Sequence, residues 1–136
     1  TIEVLSFSTF GGNPLSAAAG SATLDYVLEN DLQANAKTMG HRFAEIMQPI
    51  VDDTPWIAEL RGRGLMWAFE ICQPDSIEPD TAKTVAFLEG CKRHGLLVGK
   101  GGLYGNVIRL TPMLDVTSEE LDAGIDAIRS TIADLA

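Results

Sequence analysis

Apolar and polar positions along the chain sort into four helical stretches and four short strands. Residues 15–28 follow Asn13, which suits an N-cap, and Pro14, which suits the first helical position because its missing N–H is one that a helix leaves unpaired anyway. Asn30 and Asp31 break and recap the chain. Leu32, Ala36, Met39, Phe43, Ile46 and Ile50 then recur at steps of three and four, the spacing of an amphipathic helix whose end is predicted at Pro49 and Pro55. Residues 56–61 and 65–71 read as two strands around Arg61-Gly62-Arg63-Gly64, a hairpin turn. Pro74 and Pro79 bracket a loop, and Ala82, Val85, Ala86, Leu88 and Cys91 place a third helix over residues 81–94, stopped by Gly95. Residues 96–98 and 107–110 are apolar runs of strand length separated by a loop at 99–106 with four glycines. Thr117 and Glu120 form a capping box ahead of Leu121, Ile125, Ile128, Ile132 and Leu135, which predicts a terminal helix.

This order, without an internal repeat, predicts an α+β fold: a small, mostly antiparallel sheet covered by helices and preceded by a long helix. Residues 1–30 are expected to form a lead-in loop and that helix, and residues 31–136 a small α+β domain. The first dozen residues are aperiodic and glycine-bearing, as expected of a chain cut from something longer. Ala17, Ala18, Ala19, Gly20, Ser21 and Ala22 would let another element approach closely, so the first helix is expected to pack against a large partner.

Composition narrows the function classes. A chain of 136 residues that is 46% hydrophobic and 21% charged is an ordinary globular domain, long enough to bury a core without disulfides. Its 19 acidic against 10 basic residues leave a charge of -9, which repels phosphate backbones and anionic lipid, so neither nucleic acid nor membrane is an expected partner. No apolar run has the length of a membrane span. Cys72 and Cys91 lack the spacing of a zinc site or a redox motif, and nothing resembles a secretory signal; buried, reduced thiols and a cytoplasmic location are expected.

Most candidate chemistry has an ordinary explanation. The 99–106 loop has neither the Walker spacing nor the dinucleotide fingerprint, and one short Arg-Gly-Arg-Gly in an acidic chain is a turn rather than an RNA-binding box. His41 and His94 lie on different helices, outside any metal or triad pattern, and the paired acids Asp52/Asp53 and Glu119/Glu120 fall at helix ends. No metal site and no catalytic acid–base pair is expected. Two features remain. Ser8-Thr9-Phe10-Gly11-Gly12-Asn13-Pro14 sets a hydroxyl and several backbone amides before a helix N-terminus, an arrangement that either binds phosphate or simply caps the helix. Arg109 is a lone cation in Val107-Ile108-Arg109-Leu110, where it either reaches water or meets an anion.

At these two features the sequence resembles the class III, fold type I, pyridoxal-phosphate-dependent aminotransferases. The likeness runs over the whole chain. It is carried by Thr9-Phe10-Gly11-Gly12-Asn13-Pro14-Leu15, Leu60-Arg61-Gly62-Arg63-Gly64-Leu65-Met66, Gly95-Leu96-Leu97-Val98, Asn106-Val107-Ile108-Arg109-Leu110-Thr111-Pro112 and Thr117-Ser118-Glu119-Glu120-Leu121, in the family's order. The resemblance implies that Thr9 helps hold the cofactor phosphate across a homodimer interface and that Arg109 grips a substrate carboxylate. It also implies that the first helix joins a large cofactor domain to this small C-terminal domain. The substrates implied are an amino acid and a 2-oxo acid. The family's Schiff-base lysine lies upstream of the matching segment, and Lys37, Lys83, Lys92 and Lys100 do not match it. The expectation is therefore a C-terminal fragment that is inactive alone, the alternative being a stand-alone structural or oligomerisation domain without catalysis.

Overall fold

The computed structural model describes residues 12–136, which form four helices and a four-stranded sheet. The chain divides into two compact units, Thr1–Gln33 and Ala34–Ala136.

The described part of the first unit is mainly α1, Pro14–Glu29. Its start is the predicted one: the Asn13 side chain accepts a hydrogen bond from the Ser16 N–H at 2.9 Å and Pro14 occupies the first turn. None of its residues is buried, and Leu15, Leu24, Tyr26 and Leu28 are exposed. The residues before Gly12 lie outside those described, and with them most of the glycine-bearing lead-in.

α2 (Leu32–Asp52) passes from the first unit into the second. It runs through Pro49 rather than ending there. The helix interior is where proline is costliest, but position 49 sits within the last turn, and Asp53 N–H closes on the Pro49 carbonyl at 3.1 Å, so the helix ends only three residues on. β1 (Ile57–Arg63) and β2 (Met66–Ile71) make the expected hairpin. Its turn is tighter than predicted, because Arg63 pairs with Met66 and only Gly64 and Leu65 lie between them. Gly64 takes a φ of +57°, the left-handed conformation that a two-residue hairpin loop requires.

α3 (Thr81–Arg93) is capped at its start by the Asp80 carboxylate, which accepts from the Lys83 N–H at 2.8 Å. At its end Gly95 N–H reaches the Lys92 carbonyl and Leu96 N–H the Cys91 carbonyl, the paired bonds of a Schellman cap. This cap displaces the predicted third strand. Leu96 has its amide committed to the helix, and the strand forms instead at β3, Gly99–Gly101, inside the stretch expected to be loop. β4 (Val107–Leu110) and α4 (Ser118–Asp134) fall where the pattern puts them, and the Thr117/Glu120 capping box is complete.

The sheet order is β1-β2-β4-β3, with every neighbouring pair antiparallel. Period-two alternation turns Phe69, Ile71, Ile108 and Leu110 to one face, where they meet Phe43, Met47 and Val51 of α2, Phe87 and Cys91 of α3, and Leu121, Ile125 and Ile128 of α4. Phe69 and Phe87 stack edge to face at 5.4 Å in the middle of this core. Cys72 and Cys91 are free and buried, and burial raises both thiol pKa values above the ordinary range. The opposite face of the sheet carries Glu59, Arg61, Arg63, Ala68, Glu70 and Arg109.

Two polar contacts in the first turns of α4 engage carboxylates. Arg42 of α2 makes a two-pronged ion pair with Asp122, Nε donating to Oδ1 at 2.9 Å, and Glu120 accepts from the Thr117 N–H at 2.9 Å. The hydrogen bond from Arg42 holds the Asp122 carboxyl below its usual pKa, and the Thr117 backbone N–H does the same for Glu120. A carboxyl with a depressed folded pKa binds its proton more readily when unfolded, so its contribution is complete above the unfolded value of about 4 and fades as pH falls through the folded one. Urea unfolding repeated from pH 6 down to pH 2 should therefore show stability falling in that acid window. Glu120→Gln combined with Asp122→Asn should flatten the fall; an unchanged slope would show that these two contacts do not couple to folding.

Candidate functional site

Arg109 lies on β4, an interior strand, with Ala68 of β2 on one side and Gly99 of β3 on the other. Both neighbours are small. A Cβ built on Gly99 would lie 3.5 Å from Arg109 Nε and 3.7 Å from its Cβ, ordinary van der Waals distances, so position 99 lies directly beside the guanidinium. The side chain is exposed while Val107, Ile108 and Leu110 around it are buried. Val107 shares the Arg109 face by alternation, yet the turn at Gly102 covers it: a Cβ there would collide with Val107.

The same sheet face carries a second arginine with a different role. Arg61 of β1 pairs across the hairpin with Ala68, which in turn pairs with Arg109. Arg61 donates to Glu59 at 2.6 Å and to Glu70 at 2.7 Å. Glu59 and Glu70 are directly opposite one another in the ladder, a repulsive placement that the guanidinium between them converts into an ion-pair triad. Its hydrogen bonds to Glu70 and then Glu59 raise the Arg61 pKa above its ordinary value. Arg109 has no hydrogen-bond or ion-pair partner among the described residues. One arginine on this face is thus satisfied by two carboxylates, and the other presents its fork of donors unused. The sequence shows both arginines, but the triad that separates them depends on hairpin register, which a one-residue change in turn length would alter.

Where β3 and β4 end, Arg109 also borders a cavity of about 170 Å³ walled by Leu96, Leu110, Leu121, Gly124 and Ile125. None of the four lysines lines it. Lys37, Lys92 and Lys100 are exposed, and Lys83 sits half-buried over the Trp56 ring at 4.7 Å. Thr9, the expected phosphate contact, lies outside the described residues. Among the described residues no cluster of three or more His, Cys, Asp or Glu is placed to hold a metal, and no helix is long and apolar enough to cross a membrane.

The arginine strand, the tight glycine hairpin and the capped terminal helix sit in a sequence that known proteins share. The family model described as Aminotransferase class-III matches residues 4–132. The chain belongs to the class III aminotransferase family. It is 37% identical over 123 residues to alanine–glyoxylate aminotransferase 2 homolog 2 of Arabidopsis thaliana, covering 90% of this chain and 26% of that protein. Ornithine aminotransferase 2 of Staphylococcus aureus is 39% identical over 122 residues, 90% of this chain and 28% of that one. Among solved structures, a phospholyase from Arthrobacter in complex with phosphoethanolamine superposes with a TM-score of 0.88 at 31% identity over 96% of this chain and 31% of that one. The acetylornithine aminotransferase of Elizabethkingia anophelis gives 0.82 at 33% identity over 98% and 33%. The chain therefore spans about a quarter to a third of the length of these relatives, and its fold is that of the corresponding part of fold type I aminotransferases.

The two glycines of Arg61-Gly62-Arg63-Gly64 have a steric reason in this structure. A Cβ on Gly62 would strike the Trp67 ring, and Gly64 receives the close approach of Gly40 from α2. Trp67 Nε1 donates to the Gly64 carbonyl at 2.7 Å, closing the hairpin over its own turn. The motif fixes where β2, and so its neighbour β4, lies against α2.

Proposed function

We propose that this chain is the C-terminal part of a pyridoxal-phosphate-dependent enzyme that moves an amino group between an amino acid and a 2-oxo acid, with Arg109 holding the substrate carboxylate. The observation that carries the reading is the unpartnered, exposed guanidinium of Arg109, within the segment matched to the family and beside residues too small to block it. A planar fork of donors meets a carboxylate through two parallel hydrogen bonds, which orients the substrate as well as binding it. β4 is paired on both edges, so the fork is mounted on a rigid strand.

The described residues place no lysine beside Arg109, so they do not by themselves build a site for pyridoxal phosphate. We assign the Schiff-base lysine to a part of the longer protein outside this chain, and to Thr9 a contact with the cofactor phosphate across a homodimer interface. We further propose that the longer protein is a homodimer with a large cofactor domain, located in the cytoplasm. The similarity to a phospholyase supports a second reading, in which Arg109 holds the phosphate of an amine substrate, since the same fork suits both anions.

Two measurements test the proposal together. The longer protein containing this segment should exchange an amino group between an amino acid and a 2-oxo acid, and the 136-residue chain alone should form no aldehyde adduct that survives dialysis. Phosphate release from a phosphorylated amine without amino exchange would favour the second reading. A stoichiometric adduct mapped to one lysine of the isolated chain would contradict the assignment of the lysine elsewhere.

A further inference from the structure

Ala68 of β2 stands in one row of the sheet between two arginines, opposite Arg61 of β1 on one side and Arg109 of β4 on the other. Two residues along β2, Glu70 is opposite Glu59 and Val107. Alternation puts its side chain on the face that carries both arginines. Glu70 is therefore a diagonal neighbour of Arg61 and of Arg109 by the same offset, about 7 to 8 Å between backbones, a separation that long side chains span. Its carboxylate has two guanidinium groups within reach. It lies on Arg61, at 2.7 Å, and Arg109 is left without an ion pair among the described residues.

Glu59 decides between the two arginines. It sits directly across the hairpin from Glu70, where two like charges repel. Arg61 relieves that repulsion by bridging both carboxylates, Nη1 to Glu59 at 2.6 Å and Nη2 to Glu70 at 2.7 Å. A guanidinium can do this because its planar fork carries several donors pointing in different directions. Arg109 cannot offer the same bridge, since β2 separates its strand from the one that carries Glu59. Without Arg61 two opposed carboxylates would remain, and the cation on the other diagonal of Glu70 is Arg109.

We infer that Arg61 is a positioning residue: by holding Glu70 together with Glu59, it keeps the guanidinium of Arg109 open to a substrate carboxylate. This rests on the proposed role of Arg109 as the anchor. Arg61 does not act by drawing the substrate in, because two carboxylates against one guanidinium leave the triad negative. Its effect is to prevent an internal carboxylate from occupying the fork that the substrate needs. The side chains of Arg61 and Glu70 are 43% and 33% exposed, so a pair between Glu70 and Arg109 would be a solvent-screened one. Such a competitor weakens an incoming carboxylate by about fivefold, the upper end for an exposed ion pair.

The test has a kinetic and a spectroscopic arm. In the longer protein Arg61→Gln should raise the KM for an amino acid about fivefold, with kcat and the KM for the same amine without its carboxylate little changed. Arg61→Gln with Glu70→Gln removes the competitor and should restore the KM. Arg61→Gln with Glu59→Gln has the same net charge but keeps Glu70, and should stay weak; restoration by both pairs would show that charge at a distance is responsible, and would overturn the inference. In the 136-residue chain the Arg109 Nε–H resonance should shift and exchange more slowly in Arg61→Gln, and return to its wild-type behaviour when Glu70→Gln is added. An Arg109 signal that is the same in the wild-type and Arg61→Gln chains would overturn the inference without any catalysis being measured. Failure of Arg109→Lys to single out carboxylate donors would sink the anchoring role instead, and the resonance would still report whether Glu70 had turned.

Discussion

Gly40→Ala should destabilise the Ala34–Ala136 unit by about 3 kcal/mol, the upper part of the range for overpacking a fitted contact. In an exposed helix the same exchange stabilises by up to about 1 kcal/mol, because alanine is the better helix former. Here the sign reverses. Gly40 lies on α2 against the hairpin turn, and a Cβ would fall far inside van der Waals contact distance of the Gly64 carbonyl oxygen. That oxygen cannot retreat freely, since it also accepts from Trp67 Nε1. For a unit of this size the loss corresponds to a midpoint lowered by about 15 °C. Gly20→Ala in α1 is the control: nothing described lies within 4 Å of a Cβ there, so that variant should be neutral or slightly stabilised. Urea and thermal unfolding of the pair check the contrast, and two variants of equal stability would mean that α2 does not need this close approach to the hairpin.

The elements most legible in the sequence are those whose signals are local. Asn13-Pro14, Gly95 and Thr117 with Glu120 each act within one turn of helix, and each cap is where the residues imply. What was not legible depends on partners distant in the chain. The extension of β1 to Arg63 depends on pairing with Met66, and the third strand moved from 96–98 to Gly99–Gly101 because the Schellman cap takes the Leu96 amide while β4 offers edges to the glycines. A run of glycines reads as loop by propensity, yet Gly99, Lys100 and Gly101 pair with Arg109, Ile108 and Val107.

The candidate site divides in the same way. Arg109 stood out as a cation in an apolar run, and the structure adds that its neighbours across both ladders are alanine and glycine. Arg61 did not stand out, because its two carboxylates reach it only through the hairpin. Thr9 rests on the resemblance alone, since it lies outside the described residues.

The unpaired guanidinium carries the largest functional prediction. In the longer protein Arg109→Lys keeps the charge but loses the fork, so a carboxylate substrate should bind about ten- to a hundredfold more weakly, the range that corresponds to losing 1.5 to 3 kcal/mol of charged hydrogen bonding. The lysine also leaves room beside Ala68 and Gly99 rather than crowding them, so the fold should persist with unchanged midpoint. Cofactor affinity should be spared. The direct test is steady-state kinetics of the wild-type and Arg109→Lys proteins on a matched pair of donors, an amino acid and the same amine without its carboxylate. The expected result is a KM for the amino acid raised about ten- to a hundredfold and little change for the amine; equal losses on both donors would contradict the anchoring role and would make Arg109 a residue of the fold rather than the anchor of the substrate.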